Sequence, residues 1–177
     1  FLIKNLSYLL YCLPFFLITG PFLPDLSLVI SIILTFYIIF KKKLFFYFNN
    51  YFFILFIIWC LYLILRSLLS VNPLLSLESS LFYFRFGFFA VVIWFITNNN
   101  INFRKYFFYS LLLAYCLLIL HAYIDFFFDF NFLYLQEDGP RMSGLFGDKL
   151  ILGSYLSRTF PIFFALSIFL YKKNKKM

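Results

Sequence analysis

The chain has 177 residues, 64% of them hydrophobic and only 12% charged, with a mean hydropathy of +0.95. A water-soluble domain needs a polar shell, and this composition cannot supply one. The net charge of +8 would fit nucleic acid, but nucleic-acid binders gather cations on one polar face, whereas here Lys41 to Lys43, Arg104 and Lys105, and Lys172 to Lys176 punctuate long apolar runs.

Six apolar segments follow in chain order: Leu2 to Gly20, Leu26 to Phe40, Tyr51 to Leu69, Leu81 to Thr97, Tyr106 to Ile124 and Leu150 to Tyr171. Most approach the ~20 residues that cross a ~30 Å hydrocarbon core as helix. The expected fold is therefore an all-α membrane protein, a polytopic bundle of about six transmembrane helices in a single domain over 1–177. The first segment has no small-residue cleavage site and reads as a retained helix, not a signal peptide. Pro21 and Pro24 predict a tight turn after it, because proline does not continue a helix. The second segment is short and is expected to borrow from its flanks. Cys12, Cys60 and Cys116 fall on three different segments with no metal-ligand spacing, which predicts small buried hydrophobes. The 31 Phe and 14 Tyr residues suit lipid-facing helices and interfacial belts.

Charge gives the direction of insertion. Placing Lys41 to Lys43 in the cytoplasm puts Lys4, Arg104, Lys105, Lys172, Lys173, Lys175 and Lys176 there too, so 10 of the 15 basic residues lie inside, and both termini are cytoplasmic. All seven acidic residues (Asp25, Glu78, Asp125, Asp129, Glu137, Asp138 and Asp148) then lie outside. The longest connection, 125–149, is an outer, periplasmic loop. Its aromatic first part is expected along the interface, and its second part is polar and glycine-rich.

Arg66, Arg85 and Arg158 fall within or at the edge of apolar segments, where a charge costs at least ~2.5 kcal/mol at a helix centre and is expected to face a cavity or a partner. On this topology all three, with Arg141 just outside, share the outer leaflet. Guanidinium groups bind phosphate bidentately and stay charged, which fits a lipid-linked diphosphate or another polyanionic head group. The alternative is that they snorkel to lipid phosphates or pair with Glu78, Asp125 and Asp148. For Arg66 and Arg85 the two readings are balanced. Arg158, about 12 Å below Leu150 at ~1.5 Å per residue, favours function. His121 and Asp125, four apart on one helix face, offer a candidate catalytic base, with a purely structural pair as the alternative. No P-loop, HExxH or acidic metal motif is present, so neither a cofactor nor a metal is expected. Gly153 and Ser154 are expected to let the last helix approach a neighbour closely.

The run Arg141, Ser143, Gly144, Phe146, Gly153 and Leu156 (R-x-S-G-x-F-x6-G-x-x-L), continuing through Ser154 and Arg158 to Pro161, resembles the signature of the O-antigen ligase and O-antigen polymerase family. The stretch containing Ser76, Ser80 and Arg85 is similar to one that precedes the family's fourth helix. The resemblance is specific over about thirty residues. It implies a metal-independent glycosyltransferase of the bacterial inner membrane, with its active face periplasmic. Such an enzyme moves a glycan from an undecaprenyl-diphosphate carrier to lipid A core or to a growing polysaccharide. It further implies diphosphate binding by Arg141, then Arg158, Arg85 and Arg66, with Ser143, Gly144, Phe146 and Gly153 shaping the motif. Members of the family carry a further outer loop and more helices, so the 177 residues are expected to be an N-terminal fragment, inactive alone. Two other classes compete: a transporter or flippase of lipid-linked oligosaccharide, and a structural membrane subunit. A transporter predicts charges at the midplane and inverted repeats, whereas the polar groups here concentrate in the outer half.

Overall fold

The computed structural model describes residues 2–128 and 152–175. Every regular element among them is helical: α1 (Leu2–Thr19), α2 (Phe22–Lys42), a single 3-10 turn (Phe45–Tyr47), α3 (Tyr51–Leu68), α4 (Pro73–Leu81), α5 (Phe84–Asn99), α6 (Phe103–Phe128) and α7 (Leu152–Lys175). Six helical runs are long and apolar enough to cross a membrane, with Pro73–Asn99 counted as one. The residues that a soluble protein would hide point outward instead. Leu55 is 68% exposed and Ile33 61%, mid-helix in α3 and α2, which is the pattern of helices solvated by lipid. By length and composition these helices suit a membrane protein.

Local chemistry explains most helix ends. Gly20 takes a φ of +119° after α1, a conformation that side chains resist. Only Gly20 and Pro21 separate α1 from α2, so the expected turn at Pro21 and Pro24 is shorter than predicted. Pro24 sits in the first turn of α2, where no helical partner for its missing N–H is needed. The short second segment has indeed gained from both flanks. It ends in a Schellman arrangement: Lys43 has a φ of 53°, its N–H donates to the Phe40 carbonyl, and the Leu44 N–H donates to Ile39. The Asn50 side chain caps α3 by accepting from the Phe52 N–H at 3.3 Å. Pro73 starts α4.

The expected fourth segment, Leu81 to Thr97, begins earlier and is interrupted. Between α4 and α5 the backbone bonds tighten to three-residue spacing, Tyr83 N–H to Ser80, Arg85 N–H to Phe82 and Phe86 N–H to Tyr83. No glycine or proline causes this. Ser79 and Ser80 instead turn their hydroxyls back onto the carbonyls of Ser76 (3.0 Å) and Leu77 (3.4 Å), a competition that bends helices.

The chain divides into two compact units. Unit 1 comprises Phe1–Ser7 and Leu26–Ile101, and unit 2 comprises Tyr8–Asp25 and Asn102–Met177. In unit 1, Ile39, Val92, Phe95 and Ile96 are fully buried, and rings of Phe36, Phe48, Phe53 and Phe88 meet within 5.1–5.7 Å across α2, the 3-10 turn, α3 and α5. At Gly87 of α5 two helices come into close contact. A Cβ built there would lie 2.3 Å from the Phe56 ring of α3, so only glycine permits this approach. In unit 2, α6 buries Leu111, Ala114 and Leu118 on one face and packs against α7, with the rings of Phe108 and Phe163 stacked at 5.1 Å. Of the cysteines, Cys60 is buried as expected, but Cys12 and Cys116 are exposed. Their thiols lie on outward faces of α1 and α6, where lipid can solvate them.

Candidate functional site

One end of unit 1, where α3 finishes and α4 begins, gathers a set of polar side chains. Arg66 lies in the last turn of α3, whereas Arg85, two residues before Gly87, sits beside the middle of that helix, because Gly87 packs on Phe56. Arg66 is exposed. Arg85 is half-buried, with its guanidinium 5.1 Å over the Phe86 ring, a cation–π contact that helps carry a charge away from water.

Between α3 and α4 lies a cavity of about 550 Å³ lined by Arg66, five serines and Tyr83, along with Leu63, Leu69 and Val71. The serines are ordered by a relay. Ser67 donates to the Ile64 carbonyl at 2.7 Å, and its oxygen accepts from Ser80 at 3.0 Å. Both hydroxyls are buried, so this pair joins α3 to α4 with its protons already committed. Ser70 differs. Its hydroxyl oxygen is buried and has no hydrogen-bond partner in the protein, which costs roughly 1–3 kcal/mol unless a ligand or water satisfies it. No carboxylate lines the cavity, and Glu78 on α4 is exposed and outside the lining.

Unit 2 holds His121 and Arg158. His121 is half-buried in α6. The Asp125 side chain lies outside the described residues, as do Asp129, Arg141, Ser143, Gly144 and Phe146. Arg158 lies at the end of the second turn of α7 and is exposed. The register of α6 on α7 fixes its height. Tyr115 meets Thr159 (2.7 Å) and Leu156 (3.3 Å), and Phe108 meets Phe163, so the helices run antiparallel. Arg158 is then level with the residues near Ala114, and His121 lies roughly 10 Å further along the axis at ~1.5 Å per residue. The structure does not bring these two together. Gly153 also departs from expectation. A Cβ there would meet nothing within 4 Å, so it marks no close helix approach. The close approach belongs to Gly87, whose signal in the sequence was a lone glycine within an aromatic run.

Sequence reasoning also missed the polar pins of unit 2. The Tyr155 hydroxyl, buried with its ring, donates to the Pro14 carbonyl at 3.0 Å, and the Tyr115 hydroxyl bonds Thr159. Ser110 donates to the Tyr11 carbonyl. Each ties two helices where hydrocarbon offers no competing partner. Among the described residues no three His, Cys, Asp or Glu side chains gather as a metal site would need.

No family model, no curated protein and no solved structure matches this chain.

Proposed function

We propose that the chain belongs to an O-antigen ligase or polymerase-like glycosyltransferase of the bacterial inner membrane, acting at its periplasmic face. The observation that carries this reading is the run from Arg141 to Pro161. It leads into α7, a helix long enough to cross the membrane, and places Arg158 on an exposed face two turns in. Arg85, within the run Pro73–Asn99, is a second guanidinium inside a membrane-length stretch.

The substrate is a glycan on undecaprenyl diphosphate, and the acceptor is a hydroxyl of lipid A core or of another glycan. In the transfer, the acceptor oxygen attacks the anomeric carbon and the bond from that carbon to the diphosphate breaks. The electron pair leaves on the diphosphate oxygen and the hydroxyl proton passes to a base. Arg141, Arg158 and Arg85 would offset the charge growing on the leaving diphosphate, which needs no metal in this scheme. His121 is the candidate base.

The test uses the gene product that carries these residues, a lipid-linked glycan donor and a lipid A core acceptor. Arg158→Ala and Arg85→Ala should each lower transfer by roughly 100-fold, the usual effect of removing one donor to a developing oxyanion. Lysine at either position should restore part of it, because charge returns without the bidentate fork. Full transfer in Arg141→Ala, Arg158→Ala and Arg85→Ala alike would sink the assignment.

A further inference from the structure

The cavity between α3 and α4 has a composition that the transfer reading does not use. It holds one cation, no carboxylate, and a set of hydroxyls of which Ser70 is buried without a partner. It also has a definite place, between the last turn of one membrane-length helix and the first turns of the next. In a membrane protein that level is where the hydrocarbon gives way to head groups.

We propose that this cavity binds the head group of an anionic phospholipid: a phosphodiester esterified to a small hydroxyl-bearing alcohol, as in phosphatidylglycerol. Charge selects the class. A diphosphate or phosphomonoester brings about two negative charges at neutral pH, and the single guanidinium of Arg66 would leave one of them uncompensated in a partly dehydrated cavity. A phosphodiester brings one, which Arg66 neutralises through two parallel N–H···O bonds. A zwitterionic head group would add an ammonium with no carboxylate in the lining to receive it.

The hydroxyls select the alcohol. The protons of Ser67 and Ser80 are already committed, so these oxygens can only accept, and they suit the O–H groups of a glycerol. Tyr83 presents a hydroxyl able to donate to phosphate oxygens, and Ser70 adds a second by rotation about χ1, since its buried Oγ has no protein bond to give up. The volume of about 550 Å³ falls within the ~300–1,000 Å³ typical of small-molecule sites. The rim suits the rest of the lipid. Leu69 and Val71, which border the cavity, are 84% and 98% exposed and give acyl chains an apolar path away from it.

This inference gives Arg66, one of the arginines that the family resemblance assigns to the diphosphate, a different ligand, and it needs no transfer step. The experiment is native mass spectrometry of the full 177-residue chain in detergent, with phosphatidylglycerol, phosphatidylcholine, undecaprenyl diphosphate and soluble glycerol 3-phosphate offered separately. The chain should retain one phosphatidylglycerol in preference to phosphatidylcholine. Arg66→Gln should weaken that retention about tenfold, the loss of one charge-assisted pair. Ser70→Ala, which removes one atom from a site that already lacks a protein partner, should weaken it about fivefold with helicity unchanged. Arg104→Gln, over the Phe169 ring in unit 2, should leave it intact. Equal retention of the two phospholipids, or insensitivity to both Arg66→Gln and Ser70→Ala, would overturn the proposal. So would preference for undecaprenyl diphosphate, which assigns the cavity to a carrier, or displacement by glycerol 3-phosphate at matched concentration, which makes the ligand a free phosphate.

Discussion

At the α3–α4 end of unit 1, one serine hydroxyl is buried without a partner and a guanidinium stands beside it, facing a cavity. Where α6 meets α7 in unit 2, the hydroxyls of Tyr115, Tyr155 and Thr159 are all spent on one another or on backbone carbonyls. The glycines divide the same way. Gly87 in unit 1 lets a ring sit where a Cβ would be, while Gly153 in unit 2 faces open space. In an apolar solvent a polar group is retained either because it ties helices together or because it meets a ligand. Unit 2 spends its hydroxyls the first way, and the cavity end of unit 1 keeps some for the second.

Four substitutions press on that difference. Gly87→Ala should destabilise the protein by about 1–3 kcal/mol, because the added methyl meets the Phe56 ring of a packed helix pair. Thermal unfolding in detergent measures it, and Phe56→Leu in the same background should recover part of the loss. Tyr155→Phe should cost roughly 0.6 kcal/mol and at most about 1.7, the range for interhelical hydrogen bonds in membranes. A melting curve unchanged by Tyr155→Phe would remove the contrast from the unit 2 side. Gly153→Ala should carry the opposite sign to Gly87→Ala and stabilise by about 0.5–1 kcal/mol, since only helix propensity is at stake in open space. The smallest effect belongs to Ser70→Ala, expected within about 0.5 kcal/mol of the parent in lipid-free detergent. A large loss there would show that Ser70 braces the fold, and the cavity would lose its unpartnered donor.

Arg141, Ser143, Gly144 and Phe146, which carry much of the family resemblance, lie outside the described residues, so that reading continues to rest on their pattern. Arg66 and Arg85 stand out in the sequence as charges in apolar runs, and only the packing of Gly87 on Phe56 shows that Arg85 lies away from the cavity that Arg66 lines. Of the serines, only Ser76 and Ser80 stood out, through the resemblance of their stretch to one in the family. Nothing in their spacing says that Ser67 meets Ser80, thirteen positions on, while Ser70 meets no protein group.

What the sequence determined by itself was the set of membrane-length helices. Hydrophobic length is a local property, and lipid leaves the backbone no alternative to helix where six apolar runs must cross it. Pro21 likewise marked the first helix end, because φ preferences act within a few residues, whereas the capping by Asn50 and Pro73 emerged only in the structure. What only the tertiary structure decided was which small and polar side chains count. Gly87 and Gly153 look alike as letters, and so do Ser67 and Ser70. Their difference arises from what a neighbouring helix places against them, a long-range fact that no short window of sequence contains.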